Sequence, residues 1–68
     1  MRNRIKELRD GLALTQEDLA ERVHVTRQTI ISLEKGKYNP SILLAAKLAR
    51  VFKTGIESVF IFDREDLL

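Results

Sequence analysis

Apolar residues along this chain come in short bursts, spaced by three and four positions within each burst and separated by polar breaks. Ile5, Leu8 and Leu12 share one helical face, with Arg4, Lys6, Glu7, Arg9 and Asp10 on the other, and predict a first helix from Asn3 to about Leu12. Gly11 costs that helix ~1 kcal/mol relative to alanine, so its last turn is expected to fray. Leu19, Ala20 and Val23 make a second stripe, and Val25, Ile30 and Leu33 a third. A fourth helix is predicted over Ile42–Phe52, with Ala45, Leu48, Ala49 and Phe52 inward, and a fifth of one or two turns over Ile56–Phe60, with Phe60 in the core. Ile61–Leu68 shows no clear period, and no internal repeat or strand-rich region is present. The pattern is all-α.

Helix punctuation sharpens these boundaries. Thr15-Gln16-Glu17-Asp18 opens the second helix: the threonine hydroxyl can accept from a free first-turn amide, and Asp18 stands where a capping box wants an acid. Thr26 is an N-cap for the third helix and Ser41, after Asn39-Pro40, for the fourth. Gly36 sits where a left-handed residue stops a helix, and Thr54-Gly55 breaks the chain before the fifth. The second and third helices are therefore short, capped and joined by a tight break at His24–Val25.

Composition then narrows the function classes. Sixty-eight residues make one small domain, with no cysteine for disulfides or thiolate metal sites and His24 as the single histidine. No metal cluster, acid–base pair, nucleophile arrangement or phosphate loop is legible, so no catalytic residue, cofactor or small-molecule ligand is expected. No apolar run reaches membrane-spanning length, and the reading is of a cytoplasmic protein without a membrane partner. The net charge of +2 conceals an asymmetry: residues 1–53 carry eleven Lys/Arg against six acids, whereas residues 54–68 carry one Arg against four. A basic body with an acidic tail suits a face turned toward a polyanion.

Leu14-Thr15-Gln16, Leu19-Ala20, Val25-Thr26, Thr29-Ile30, Glu34, Gly36-Lys37 and Asn39-Pro40-Ser41 at these spacings resemble the Cro/C1-type (XRE-like) helix-turn-helix family, from about Arg4 to Phe60. The resemblance implies a compact five-helix lambda-repressor-like DNA-binding domain over residues 1–60, followed by a tail at 61–68. Helices two and three would form the helix-turn-helix, with residues 26–35 as the recognition helix. The chain departs from the family pattern at His24, Ala13 and Lys53, which stand where glycine is common, and at Gly55, which replaces a Ser or Thr cap. Histidine is among the non-glycine types that tolerate positive φ.

By the same resemblance, Arg27, Gln28 and Ser32 occupy base-reading positions, Arg being suited to guanine and Gln to adenine. Gln16, Thr15, Thr26 and Thr29 would contact phosphate, as would Lys35, Lys37, Tyr38 and Asn39 beyond the recognition helix. The family's counterpart of Glu34 pairs with an arginine on the first helix, here Arg9. Ile31 has two readings, partial burial against a neighbouring helix or contact with a thymine methyl. Double-stranded DNA is the expected partner, bound by a homodimer on a palindrome, because one recognition helix reads too few base pairs to find a site in a genome. Leu43, Ala46, Ile61, Phe62, Leu67 and Leu68 are interface candidates, with residues 60–63 extended against their mates. The expected function is a small transcriptional regulator acting as a repressor. The alternative is an antitoxin or adaptor that chiefly binds a partner protein and uses DNA binding for autoregulation.

Overall fold

The structure, a computed structural model, describes residues 1–37 and 39–68. Its elements are α1 (Ile5–Gly11), α2 (Gln16–Val23), α3 (Arg27–Glu34), α4 (Ile42–Val51), α5 (Ile56–Val59) and α6 (Arg64–Leu67). The all-α expectation holds, with one helix more than the five predicted. The added α6 is a single turn in the segment that lacks periodicity; at its start the Asp63 amide donates to the Asp66 carboxylate at 2.8 Å.

Ile5, Leu19, Ala20, Val23, Ile30, Leu33, Leu44, Ala45, Leu48, Ala49, Val59 and Phe60 form one core. Leu8, Val25 and Phe52 pack against it half-buried. Leu12 is a correction: it lies past the end of α1 as its C-cap and is 50% exposed. Arg9 takes the inward position instead, one turn after Ile5, and is 8% exposed. Among the described residues no helix is long and apolar enough to cross a membrane.

The caps form as the punctuation predicts. Thr15 and Asp18 make a reciprocal capping box on α2, the Asp18 amide donating to Thr15 Oγ1 at 3.0 Å and the Thr15 amide to Asp18 Oδ2 at 2.9 Å. Hydrogen bonds from Thr15 to the carboxylate, its backbone amide first and its hydroxyl second, hold the Asp18 carboxyl below the usual carboxylate range. The box is therefore intact above that range and is lost as pH falls through the lowered value. Ser41 caps α4 through the Leu44 amide at 3.1 Å. Gly55 precedes α5 in extended geometry without a side-chain cap.

Helices α1 to α4 all stop in the same way. At each, a residue with positive φ follows the helix: Ala13 (57°), His24 (60°), Gly36 (70°) and Lys53 (53°). Its amide and the next one then turn back to the last carbonyls, as when Gly36 donates to Leu33 at 2.9 Å and Lys37 to Ser32 at 3.0 Å. Ala13 with Leu14, His24 with Val25, and Lys53 with Thr54 repeat the pattern. Three of these four positions carry a Cβ in a region that disfavours one, which is where the sequence departs from glycine. Ala13→Gly and Lys53→Gly are each expected to raise stability by about 0.5–1 kcal/mol, the relief of backbone strain exceeding the added freedom of the unfolded chain. Urea unfolding measures it, and a loss of stability at both sites would show that these turns carry no strain.

The chain ends are tied to this bundle. Asn3 and Phe60 form an isolated antiparallel bridge, with the Arg4 amide donating to Val59 at 2.8 Å and the Ile61 amide to Arg2 at 2.9 Å. One backbone edge of the extended stretch is already paired within the chain, and Asp63 opens α6.

Candidate nucleic-acid interface

The surface around α3 is organised by one buried polar node. Arg9 reaches from α1 to grip Glu34 at the end of α3 with two parallel bonds, Nε to Oε2 at 2.8 Å and Nη2 to Oε1 at 3.3 Å. Both side chains are about nine-tenths buried. A third donor comes from α2, Gln16 Nε2 to Glu34 Oε1 at 3.1 Å, while Arg9 Nη1 donates to the Leu14 carbonyl at 2.9 Å. The hydrogen bonds to Glu34 hold the Arg9 guanidinium above even its ordinary high value. Three helices are thus locked in register by side chains with no unpartnered buried polar atom among the described residues. The expected Arg9–Glu34 pair is present.

Gln16 has a structural task beside the expected phosphate contact: one hydrogen of its side-chain amide goes to Glu34. The second hydrogen and the backbone N–H at the first position of α2 remain for an anion, where the helix dipole favours one.

The turn between α2 and α3 sets the exit of the recognition helix. His24 adopts φ 60° and ψ 45°, as the tolerance of histidine for the left-handed region allows. Val25 returns its amide to Ala20 at 3.0 Å. Thr26 then caps α3: its Oγ1 accepts from the Thr29 amide at 3.3 Å and shares a hydrogen bond with Thr29 Oγ1 at 3.0 Å. The two threonine hydroxyls serve the helix start first.

Arg27 and Gln28 are exposed in the first turn of α3, and Ser32 is half-buried one turn on. Among the described residues none of the three side chains is held by an internal hydrogen bond or ion pair. Ile31 is half-buried but stands outside the core cluster, so partial burial is what the structure finds there. Thr15 and Thr26 are exposed and Thr29 half-buried; Lys35, Lys37 and Asn39 are exposed past the end of the helix. The expectation for Tyr38 lies outside the described residues.

Sequence reasoning missed Asn3. Its Nδ2 donates to the Leu33 carbonyl at 2.7 Å, fixing the last turn of α3 from the N-terminal segment. A lone asparagine thirty residues away leaves no local signal. The α1 cations Arg4 and Lys6 are paired with Glu7 and Asp10, which leaves the free positive charge elsewhere on the molecule.

With the geometry in hand, residues 5–59 match the family model described as Helix-turn-helix. The chain belongs to the Cro/C1-type helix-turn-helix family of transcriptional regulators. It is 63% identical over 67 residues to an uncharacterized HTH-type transcriptional regulator of Archaeoglobus fulgidus, a match covering 98% of this chain and 94% of the relative. A regulator of the same description from Bacillus subtilis is 47% identical over 66 residues, covering 97% and 100%. Among solved structures, the restriction-modification controller protein C.AhdI from Aeromonas hydrophila superposes with a TM-score of 0.76 at 32% identity, over 84% of this chain and 86% of that one. The helix-turn-helix family is one of DNA-binding regulators and not of enzymes, and α2 and α3 are its defining pair here.

Proposed function

We propose that the protein is a repressor that binds a palindromic operator as a homodimer, with α3 in the major groove. Residues 1–60 would act as the DNA-binding domain. The observation that carries this reading is the contrast within α3: Ile30, Leu33 and Glu34 are fixed from behind, while Arg27 and Gln28 stand free at its start. A base-reading side chain must be unpaired before it binds but mounted on a rigid backbone, and α3 meets both needs. Arg27, Gln28 and Ser32 read base edges, with Ile31 meeting a thymine methyl at their margin. Gln16, Thr15, Thr26, Thr29, Lys35, Lys37, Tyr38 and Asn39 set register on the backbone. For the two engaged threonines, the contact is a hydroxyl lone pair, a hydroxyl hydrogen or a backbone amide.

Selection from a random duplex pool, with a salt titration on the winner, tests the reading. A palindromic consensus with half-sites about one turn (~34 Å) apart is expected. Arg27→Ala should relax preference at one base position by about 1–3 kcal/mol, whereas Lys37→Ala should weaken all sequences alike and lower the salt slope by about 1. Binding indifferent to sequence would defeat the specific-repressor reading.

Exposed apolar residues on α4 and the tail support dimerisation. Ile42 (86%), Leu43 (62%) and Leu67 (74%) are too exposed to help the fold, and Ile61 and Phe62 flank them on the tail. The Val59 carbonyl and the Ile61 amide are engaged by residues 2–4, so a ladder between mates would use the other edge of this stretch. Sedimentation should give a dimer for the whole chain and a monomer for a truncation after Phe60. A monomer in both would favour the alternative, an adaptor or antitoxin whose apolar end serves another protein.

A further inference from the structure

The structure holds two separate groups of cations without an ion-pair partner among the described residues. One, Arg27, Lys35 and Lys37, belongs to the interface above. The other lines an open groove of about 600 Å³ between the C-terminal ends of α2 and α4, formed by Arg22, His24, Lys47, Arg50, Val51 and Lys53. No acid lines it, and it shares no residue with the recognition face.

We propose that this groove is a second docking surface for double-stranded DNA, gripping the phosphate backbone without regard to sequence. The proposal rests on membership of a DNA-binding family and not on which residues of α3 read bases. Helix dipoles alone do not account for the cluster. Arg22 and Arg50 lie in the last turns of α2 and α4, where a cation is favourable. Two helix ends together present only about one unit of negative charge, against four permanent cations. Arg22 also borders Asp18 and Glu21 in an adjoining hollow, which accounts for part of its charge. The surplus is carried by Lys47, Arg50 and Lys53.

The occupant follows from what the groove lacks. Val51 is its one apolar residue, so it has no anchor pocket of the kind that holds a protein partner. A partner held by charge alone must be dense in charge, and duplex DNA offers one negative charge per ~1.7 Å of axis. With α3 on one duplex, this groove would hold a second segment and let one molecule join two stretches of DNA.

The test saturates the protein with a donor-labelled duplex carrying its selected site, then adds an acceptor-labelled duplex of scrambled sequence and reads energy transfer across a salt titration. The wild-type chain should join the two duplexes. Lys47→Gln/Arg50→Gln/Lys53→Gln should lose this at least tenfold and lower the salt slope of joining by about 0.9 per contact removed, with base preference on the first duplex unchanged. Lys47→Arg/Lys53→Arg, which keeps the charge, should join like the wild type and controls for folding. The inference is overturned if the wild type joins no duplexes. It is also overturned if the triple variant joins them equally, since the second recognition helix of a dimer would then suffice. Displacement of the scrambled duplex by polyglutamate at lower charge concentration than by DNA would assign the groove to an acidic protein and overturn it as well. Charge-dependent joining without site preference on the first duplex would instead defeat the recognition-helix reading and leave this one standing.

Discussion

Arg9→Ala is expected to cost about 3–5 kcal/mol, enough to unfold much of a domain this small. The reason is less the lost attraction than the charge left behind. Glu34 is about nine-tenths buried, and without Arg9 its carboxylate keeps only the Gln16 amide as a partner. The Leu14 carbonyl loses its guanidinium donor in the same step, loosening the entry to α2. At about 4–8 °C per kcal/mol for a chain of this size, the midpoint should fall by more than 10 °C. Arg9→Met/Glu34→Leu removes both charges and should recover most of the loss, since a well-packed apolar pair often equals a buried ion pair. Thermal unfolding of the three proteins decides the matter. If the single substitution is as mild as the double, the pair is not a structural lock. The double variant has a further use: if it folds but reads DNA poorly, the node serves to aim α3 and not merely to hold it.

How far the sequence could foresee this arrangement depended on how local the cause was. The N-caps Thr15, Thr26 and Ser41 and the stop at Gly36 were legible because each involves residues within one turn. The left-handed turn at His24 is legible through the family resemblance, since glycine is common at that position and histidine tolerates positive φ. Arg9–Glu34 joins two helices twenty-five residues apart and leaves no periodic mark; it is legible only through the family resemblance. The place of Gln16 at a helix start is visible in the sequence, whereas its bond to Glu34 needs the packed bundle. Leu12 was misplaced since spacing alone continues α1 past Gly11, where the backbone has already turned. Leu44 and Val59 are buried outside the predicted stripes; α4 packs against both α2 and α5. The Asn3–Phe60 bridge is too short for any alternating pattern to announce it. Asp63-x-x-Asp66, by contrast, carried a readable capping signal for α6.

The C-terminal stop of α3 carries the second large effect, because two causes coincide at Gly36. Its φ of 70° is the strain that Ala13, His24 and Lys53 already tolerate. In addition, a Cβ built there would lie 2.9 Å from the Met1 carbonyl oxygen, a backbone atom that cannot swing aside as a side chain would. Met1 is itself held nearby, its amino group donating to the Gly36 carbonyl at 3.1 Å, and Asn3 fastens the same segment to Leu33. Gly36→Ala must therefore displace the N-terminal segment or distort the turn that sets Lys35 and Lys37. We expect a loss of about 2–3 kcal/mol, a net conformational cost of about 0.5–1 kcal/mol plus the larger cost of that displacement. Ala13→Gly is the reciprocal change at the equivalent position of α1, so its gain reports the conformational part by itself. The two values are best measured side by side in urea. A Gly36→Ala loss well above the Ala13→Gly gain assigns the excess to the Met1 contact, and phosphate-dependent DNA affinity should fall with it because the lysines move. Equal and opposite values would mean that the N-terminal segment yields freely, and the end of α3 would then owe its position to Glu34 alone.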